Sequence, residues 1–432
     1  MNVVLSSCSF DEGILAKGIQ LDSHYPLGLA SIHSYLTSLG HDVRTLNLNY
    51  FPPDLCMSYL EKYCEGADYV GLQVLSHNRT ATFRAIEMLG DRYKIVLGGH
   101  HTTSMYEQIV NKYRNVIAVL GEGEYTMSEI LYGIPLEDIP GVAYWDGEKV
   151  VRTEDRPLIT DLDALPPPAH HPFYHEYRRT ASVMTSRGCP HKCSFCALGV
   201  ITRHKVRFRS PESVVSEIVK IKNDFPLTER VWIHDDSFLM DNKRAIKICE
   251  MLQKANTGLK FICSGRFKPI SKEVVDALVA ANFVHVLFGL ESGCQRILDR
   301  CRKGIRKEDA VKAFELFRGT PIMLTAFLIV GLPGEDFYSV EETVKFVNEL
   351  QAIKYCHYED IIILMVYPGT EVYELMKQAG KITDDFWLTD EVAPFYTVDH
   401  DVETLNLYME SILDRIAAGR LLKKLKTWQL TQ

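Results

Sequence analysis

"SRGCPHKCSFC", Ser186 to Cys196, holds Cys189, Cys193 and Cys196 at C-x3-C-x2-C spacing in a chain with eleven cysteines. Clustered thiols point to a metal group, whereas scattered ones point to core filling. Four-iron clusters take one thiolate per iron. Three thiolates therefore leave one iron corner open, and an open metal position distinguishes a site for chemistry from a closed structural one. The competing reading is a zinc site completed by His191 or His204. Zinc motifs usually set a second close pair tens of residues away, and none follows here.

The run ahead of the trio, Ser182 to Ser186, reads as a strand. Further strand patterns follow at Arg230 to His234, Leu259 to Cys263, Val284 to Leu290, Met323 to Val330 and Asp360 to Val366. Helical patterns lie between them. Ser210 caps one with Pro211 at its first position and Val214, Ile218 and Ile221 on one face; Asp241 precedes another carrying Ile248 and Leu252. Six β/α units in a row predict a partial TIM-like barrel with its chemistry on the loops leaving the strands' carboxyl ends. Beyond Asp399 the tail reads as a helix with Leu405, Met409, Leu413 and Ile416 in phase.

Upstream, strand patterns at Asn2 to Ser6, Val43 to Asn47, Tyr69 to Leu75, Lys94 to Leu97 and Val116 to Leu120 alternate with helices. One helix opens near Pro26, with Leu29, Ile32 and Leu36 in register. The alternation predicts a doubly wound parallel sheet, an α/β fold of the flavodoxin or Rossmann type. Ligands of such sheets sit at the strands' carboxyl ends, where Ser6, Ser76 and Gly98-Gly99 lie. "DLDALPPPAHHPF", Asp161 to Phe173, carries four prolines and marks the boundary. The expected division is 1–145 for the first domain, 146–178 for a linker, 179–375 for the barrel and 376–432 for a helical extension.

The chain has 432 residues, 46% hydrophobic and 24% charged, which suits a globular protein of two or three domains. A net charge of -8 gives no general field for a polyanion, so no nucleic-acid partner is expected. The N-terminus lacks the pattern of a secretory leader, and no stretch reaches the about 18 apolar residues of a membrane span. The expectation is a cytoplasmic protein without a membrane partner.

"CPHKCSFC" after a first barrel strand resembles the motif of the radical S-adenosylmethionine (SAM) superfamily, including the aromatic Phe195. In that family the open iron of a 4Fe-4S cluster is chelated by SAM, and one electron cleaves the sulfonium to a 5'-deoxyadenosyl radical. The resemblance extends along the barrel. "WIHDDSF" stands where the family contacts the methionine amino group, which implicates Asp235, Asp236 and Ser237, although it departs from the common Gly-Gly-Glu form. "CSGRF" puts Arg266 where members contact substrate or cofactor. "FGLESGCQRIL" implies that Glu291 and Ser292 face SAM, and "FLIVGLPGED" that Gly331 to Gly334, with Pro333, admit the adenine. "MVYPGTEVYE" completes the series.

"PLGLASIHSYLTSLGHDV", "VGLQVLS", "IVLGGHHTT" and "VLGEGEYT" resemble the cobalamin-binding domain fused ahead of the barrel in one radical SAM group. The resemblance implies a cobalamin contact set of Ser6, Leu27, Gly28, Ser76, Gly98, Gly99, His100 and Glu122. His101 stands beside it, and Glu122 and Glu124 also read as helix-start charges. The cobalt-ligating pattern D-x-H-x-x-G is not kept, because Asp22-Ser23-His24 is followed by Gly28.

Together the resemblances imply methylation of an unactivated carbon of a small molecule or peptide, through methylcobalamin and an adenosyl radical, with an electron donor such as flavodoxin or ferredoxin. The alternative is radical cyclisation, rearrangement or carbon-carbon coupling without methyl transfer. Phe386, Trp387, Phe395 and Tyr396 read as sealing a core edge or walling a pocket. Cys294 and Cys301, on the catalytic side of the fourth strand, read as packing residues or hydrogen-atom donors, and Cys356 faces the other end.

Overall fold

The computed structural model describes residues 1–10, 25–173, 179–358, 361–391 and 396–430. The chain divides into two compact units. The first comprises Met1–Cys189, Ala197–Glu229 and Ile382–Ala393; the second comprises Pro190–Cys196, Arg230–Lys381 and Pro394–Gln432. His24 and Phe395, singled out above, lie outside the described residues. Among the described residues, no helix is long and apolar enough to cross a membrane.

The first sheet has seven strands in the order β2-β1-β3-β4-β5-β6-β7: β1 Asn2–Ser7, β2 Asp42–Asn47, β3 Tyr69–Gln73, β4 Lys94–Gly98, β5 Val116–Val119, β6 Val142–Trp145 and β7 Val150–Arg152. The five parallel strands take the 2-1-3-4-5 order, whose switch point falls between β1 and β3 and opens a ligand crevice beyond their carboxyl ends. Val3 and Leu5 are buried with Leu29 and Leu36 of the helix Leu27–Ser38 and with Met127 and Ile130 of the helix Glu124–Leu131. The periodic apolar face seen in the sequence is thus the face that packs on the sheet.

Two strands were not expected. β6 pairs antiparallel with β5 and β7 antiparallel with β6, so the stretch 146–178 read as a linker opens with a strand. Their tight turn is set by Asp146, whose Oδ1 accepts from the backbone N–H groups of Glu148 (2.8 Å) and Lys149 (2.9 Å). Such an Asx turn lets two short strands pair without a long apolar run to announce them.

The second sheet runs β15-β14-β13-β12-β11-β8, with β16 also pairing β14. Its strands are β8 Thr180–Val183, β11 Arg230–Ile233, β12 Lys260–Gly265, β13 Phe283–Glu291, β14 Met323–Val330, β15 Cys356–His357 and β16 Ile361–Ile363. The opening strand ends earlier than the sequence suggested. Ser186 and Arg187 form instead a separate two-residue strand, β9, antiparallel to β10 Arg207–Phe208. The expected strand Asp360 to Val366 begins outside the described residues and is a strand over Ile361–Ile363.

Helix starts follow local chemistry. Ser210 Oγ accepts from Ser213 N at 3.1 Å and opens the helix Pro211–Asp224, and Asp241 caps Asn242–Ala255 through Arg244 N at 3.0 Å. Val214, Ile218 and Ile221 on the first, and Ile248 and Leu252 on the second, are buried. Each cap orients a crossover helix so that the loop ahead of it is held at a strand's carboxyl end.

Candidate active site

The cysteine loop starts at a backbone position that only glycine satisfies. Gly188 has φ +99°, and a Cβ there would lie 2.0 Å from the carbonyl oxygen of Lys205. Cys193 and Cys189 are half-buried, Cys196 is exposed, and none of the three is in a disulfide. The stretch Pro190–Cys196 is pinned by its backbone: Ser194 N donates to Cys301 O (3.0 Å), Ser194 O accepts from Val372 N (3.2 Å), and Lys192 O accepts from Arg302 Nε (3.1 Å). Phe195 is half-buried beside them.

Three cysteines on one loop suit a four-iron cluster, in which each thiolate meets its own iron and the fourth iron stays open. His204 is occupied locally, its ring packed against the backbone of Gly199 at φ +58°.

Arg187, next to Gly188, is committed to carboxylates of the first unit. Its guanidinium donates to Glu122 Oε1 (2.8 Å), Glu124 Oε1 (2.6 Å) and Ser31 Oγ (3.1 Å). Glu122 Oε2 accepts in addition from Arg207 (2.6 Å) and from Ile159 N (2.9 Å). Both Glu122 oxygens therefore accept hydrogen bonds from the first unit's own groups. Burial works to raise the Glu124 carboxyl, but Arg187 and Ser31 override it and hold the group below its ordinary range. Nothing in the sequence paired Arg187 with residues some 60 positions earlier.

At the strand ends of the second sheet, Asp235 is buried and Asp236 exposed. Ser237 is 3% exposed, and its hydroxyl has no hydrogen-bond partner. Arg266 is 9% exposed and donates to the carbonyl of Lys303. Glu291 sits at a β-bulge with φ +67° and accepts from Lys303 Nζ at 2.6 Å. Gly289 makes room for that pair, because a Cβ there would lie 2.3 Å from Glu291 Oε1 and 2.6 Å from Lys303 Nζ. Lys303 was missed in the sequence, where "CRKG" has no signature of its own.

His191, Ser237, Met240, Arg266, Lys268 and Gly304 line a cavity of about 250 Å³ in the second unit. It joins the cysteine loop, through His191, to the ends of β11 and β12.

Ser292 is fully buried, its Oγ hydrogen-bonded to Thr343 Oγ1 (3.2 Å) and accepting from Cys294 N (3.1 Å), so it shapes the turn after β13 and reaches no open face. The room beside Gly331 is filled by this chain's own Leu405 Cδ2 and Thr397 Cγ2, at 2.9 and 3.0 Å from where a Cβ would stand. Pro333 remains half-buried. Cys294 and Cys301 are buried, and burial raises both thiols, that of Cys301 to about 12. They pack, and Cys301 anchors the cysteine loop through its carbonyl.

In the first unit, Ser6 is fully buried and donates to Leu46 O at 3.0 Å, a stitch between β1 and β2. Leu27 opens its helix nearly buried, while Gly28 is exposed. Gly99, at φ +103°, passes so close to β3's extension that a Cβ would lie 2.7 Å from Val74 O; Gly98 precedes it, half-buried. His100 is half-buried, and burial lowers its pKa. His101 is hydrogen-bonded through Nδ1 to Ser76 Oγ at 3.1 Å, while its buried Nε2 has no partner. Burial first, then Arg79 and His77, lower its pKa to about 3, so the ring is neutral. Arg79 donates to Ser76 O (3.0 Å) and lies 4.9 Å over the Trp387 ring and 5.8 Å over Phe386. The two aromatics therefore seal this edge of the first unit. Tyr396 instead donates to Lys381 O at 3.1 Å. The open space beside Gly98 and the buried His101 Nε2 without a partner suit a ligand that brings polar groups of its own, as cobalamin does.

A strained glycine turn, three cysteines on a pinned loop and a doubly wound sheet ahead of them define a class. Residues 183–347 match the radical SAM superfamily and residues 21–131 match the B12 binding domain. The chain thus carries a radical SAM domain with a B12-binding domain ahead of it. Over 402 residues it is 27% identical to a Pyrococcus horikoshii protein described as an uncharacterized methyltransferase, covering 90% of this chain and 85% of that one. It is 30% identical over 272 residues to the anaerobic magnesium-protoporphyrin IX monomethyl ester cyclase of Rubrivivax gelatinosus, of which it spans about half, 48%. Among solved structures, the radical SAM methyltransferase TsrM of Kitasatospora setae shares the fold at TM-score 0.71 and 18% identity, over 88% of this chain and 77% of that one.

Proposed function

We propose that this enzyme is a cobalamin-dependent radical SAM methyltransferase acting on an unactivated carbon of a small molecule or peptide. The observation that carries the reading is the presence, in one chain, of a B12-binding domain and a trio of cysteines on a loop held by its own backbone. The Pyrococcus relative, matched over most of both chains, is described as a methyltransferase, which supports methyl transfer.

When bound, the cluster, SAM and cobalamin supply one-electron cleavage of a sulfonium, hydrogen abstraction and a transferable methyl group. The chain's residues hold and orient. Cys189, Cys193 and Cys196 would each hold one iron and leave the fourth for SAM. Asp235, Asp236, Arg266 and Glu291 are the charged groups available to orient SAM, with Phe195, Ser237 and Pro333 beside them. Lys303 fixes the Glu291 carboxylate, so that its free lone pairs point in one direction. Leu27, Gly28, Ser76, Gly98, Gly99 and His100 form the edge on which cobalamin would rest. The electron comes from a low-potential protein such as flavodoxin or ferredoxin.

A second reading, ring closure without methyl transfer, rests on the identity to the cyclase. One experiment separates the two. Anaerobically reconstituted protein with SAM, hydroxocobalamin, dithionite and a cell extract of the source as substrate pool is expected to release 5'-deoxyadenosine together with S-adenosylhomocysteine. Release of 5'-deoxyadenosine alone favours ring closure, and release of neither overturns both.

A further inference from the structure

The segment after β13 is basic out of proportion to the chain. Gln295 to Lys307 carries Arg296, Arg300, Arg302, Lys303, Arg306 and Lys307 against Asp299 alone, in a protein whose net charge is -8. The segment touches the cysteine loop directly, because Cys301 O accepts from Ser194 N (3.0 Å) and Arg302 Nε donates to Lys192 O (3.1 Å). From there a line of exposed cations runs over the second unit. Arg300 Nη1 lies 2.5 Å from where a Cβ on Gly334 would stand, and Arg296 donates to Gly334 O and to Asp336 Oδ2, both at 2.8 Å. Next to Asp336 come Phe337 and Tyr338, 58% and 79% exposed, their rings edge to face with centroids 6.4 Å apart.

A run of charge is ordinarily no more than a solvated face, but two features set this one apart. Its counter-charges are loosely held: Asp336 pairs with Arg296 and Glu371 with Arg302 through side chains about half exposed, where ion pairs are weak, and Lys192 and Arg300 have no ion pair among the described residues. Large aromatic rings left in water beside arginines are, moreover, the composition of a protein-binding surface. We infer that this face, from Lys192 through Arg300 to Tyr338, docks an acidic electron-transfer protein that carries a flavin, of the flavodoxin kind. The inference rests on the proposed radical SAM reading and names the partner of that same site. One electron leaves the reduced flavin of the carrier and reduces the cluster by one, with no bond made or broken. A chain of net charge -8 repels an acidic carrier at long range, so a local field of opposite sign is what brings it to the cysteine loop. Electron-transfer encounters need only a small interface, below about 1,200 Å², which a few cations and one apolar anchor supply. Phe337 and Tyr338 suit the apolar ring edge of a flavin, with which aromatic side chains pack favourably.

The test compares two reductants of the reconstituted full-length protein, a reduced flavodoxin and dithionite, by 5'-deoxyadenosine formation. With flavodoxin, half-saturation is expected to weaken about tenfold in Arg300→Glu and in Tyr338→Ala, the scale of one anchoring side chain, and to weaken further with added sodium chloride. With dithionite, which needs no docking face, both variants are expected to match the wild type. Lys254→Glu makes the same change of charge in the last turn of the helix Asn242–Ala255 and is expected to leave both reductants unaffected. Dithionite turnover that falls in step with flavodoxin turnover overturns the inference, because the variants then disturb the fold or the cluster. So does a flavodoxin half-saturation that salt does not move, or one that Lys254→Glu weakens as much as Arg300→Glu. Equal losses with a ferredoxin as donor overturn the choice of a flavin carrier. Should dithionite yield no 5'-deoxyadenosine from the wild type, the proposed function fails, while calorimetric binding of flavodoxin to wild type and variants still reads the docking face.

Discussion

Arg187 donates to Glu124 Oε1 at 2.6 Å while standing two residues before Cys189. The first cysteine of the trio is thereby tied to a nearly buried carboxylate of the first unit. Arg187→Met leaves Glu122 and Glu124 as buried charges short of a partner, and breaking such pairs costs about 3–5 kcal/mol. The variant is expected to unfold at lower denaturant and to hold less iron after reconstitution. Arg187→Lys, which keeps charge but loses the fork, is expected to fall between the two. Urea titration and iron and sulfide analysis check both.

Cys189→Ala, Cys193→Ala and Cys196→Ala are each expected to abolish 5'-deoxyadenosine formation and to lower the iron content from the about four per chain of an intact cluster. Cys294→Ala and Cys301→Ala are expected to keep the brown chromophore and to lose about 1–2 kcal/mol of stability, as for small buried groups. Iron analysis and visible absorbance distinguish the two sets.

Gly188→Ala places a methyl group where the Lys205 carbonyl stands, at a φ that L residues avoid. The expected destabilisation exceeds about 2 kcal/mol. Gly98→Ala, with open space around its Cβ position and an ordinary φ, is expected to change stability by less than about 1 kcal/mol. The contrast, read by chemical denaturation, separates a required glycine from a permitted one.

Glu335 is 4% exposed, and burial pushes its carboxyl from 4.5 up to about 7, with Gly331 N donating to Oε2. The folded state therefore holds a proton that the unfolded state gives up between pH 4.5 and about 7. Over that window the contribution of Glu335 falls as pH rises, by up to about 3 kcal/mol, and it is flat above. Glu335→Gln is expected to remove this slope, which thermal midpoints measured from pH 5 to pH 8 in wild type and variant would expose.

Much of this was legible in the chain because pattern carries it. The five parallel strands of the first sheet came from apolar runs separated by amphipathic helices, and their observed ends lie within two residues of those expected. The cysteine trio was legible because ligand number and spacing are chemical facts. β6 and β7 were not, since strands of four and three residues joined by an Asx turn leave no periodicity to read. Nor were the internal partners: Glu122, Ser6 and Ser292 each hydrogen-bond to groups far away in the chain. Lys303 and Arg187 matter through partners brought to them by tertiary structure, and sequence order does not encode such proximity.

The path of the polypeptide through its two units has a practical result. Because Ala197–Glu229 and Ile382–Ala393 rejoin the first unit after the chain has left it, no single scission liberates either half intact. A protease cutting within the proline-rich stretch would strip the amino-terminal piece of Trp387, whose ring is fully enclosed beside Arg79. Gene fragments split at that point would have to be co-expressed to recover a native first half, so the two modules are inherited as one indivisible whole.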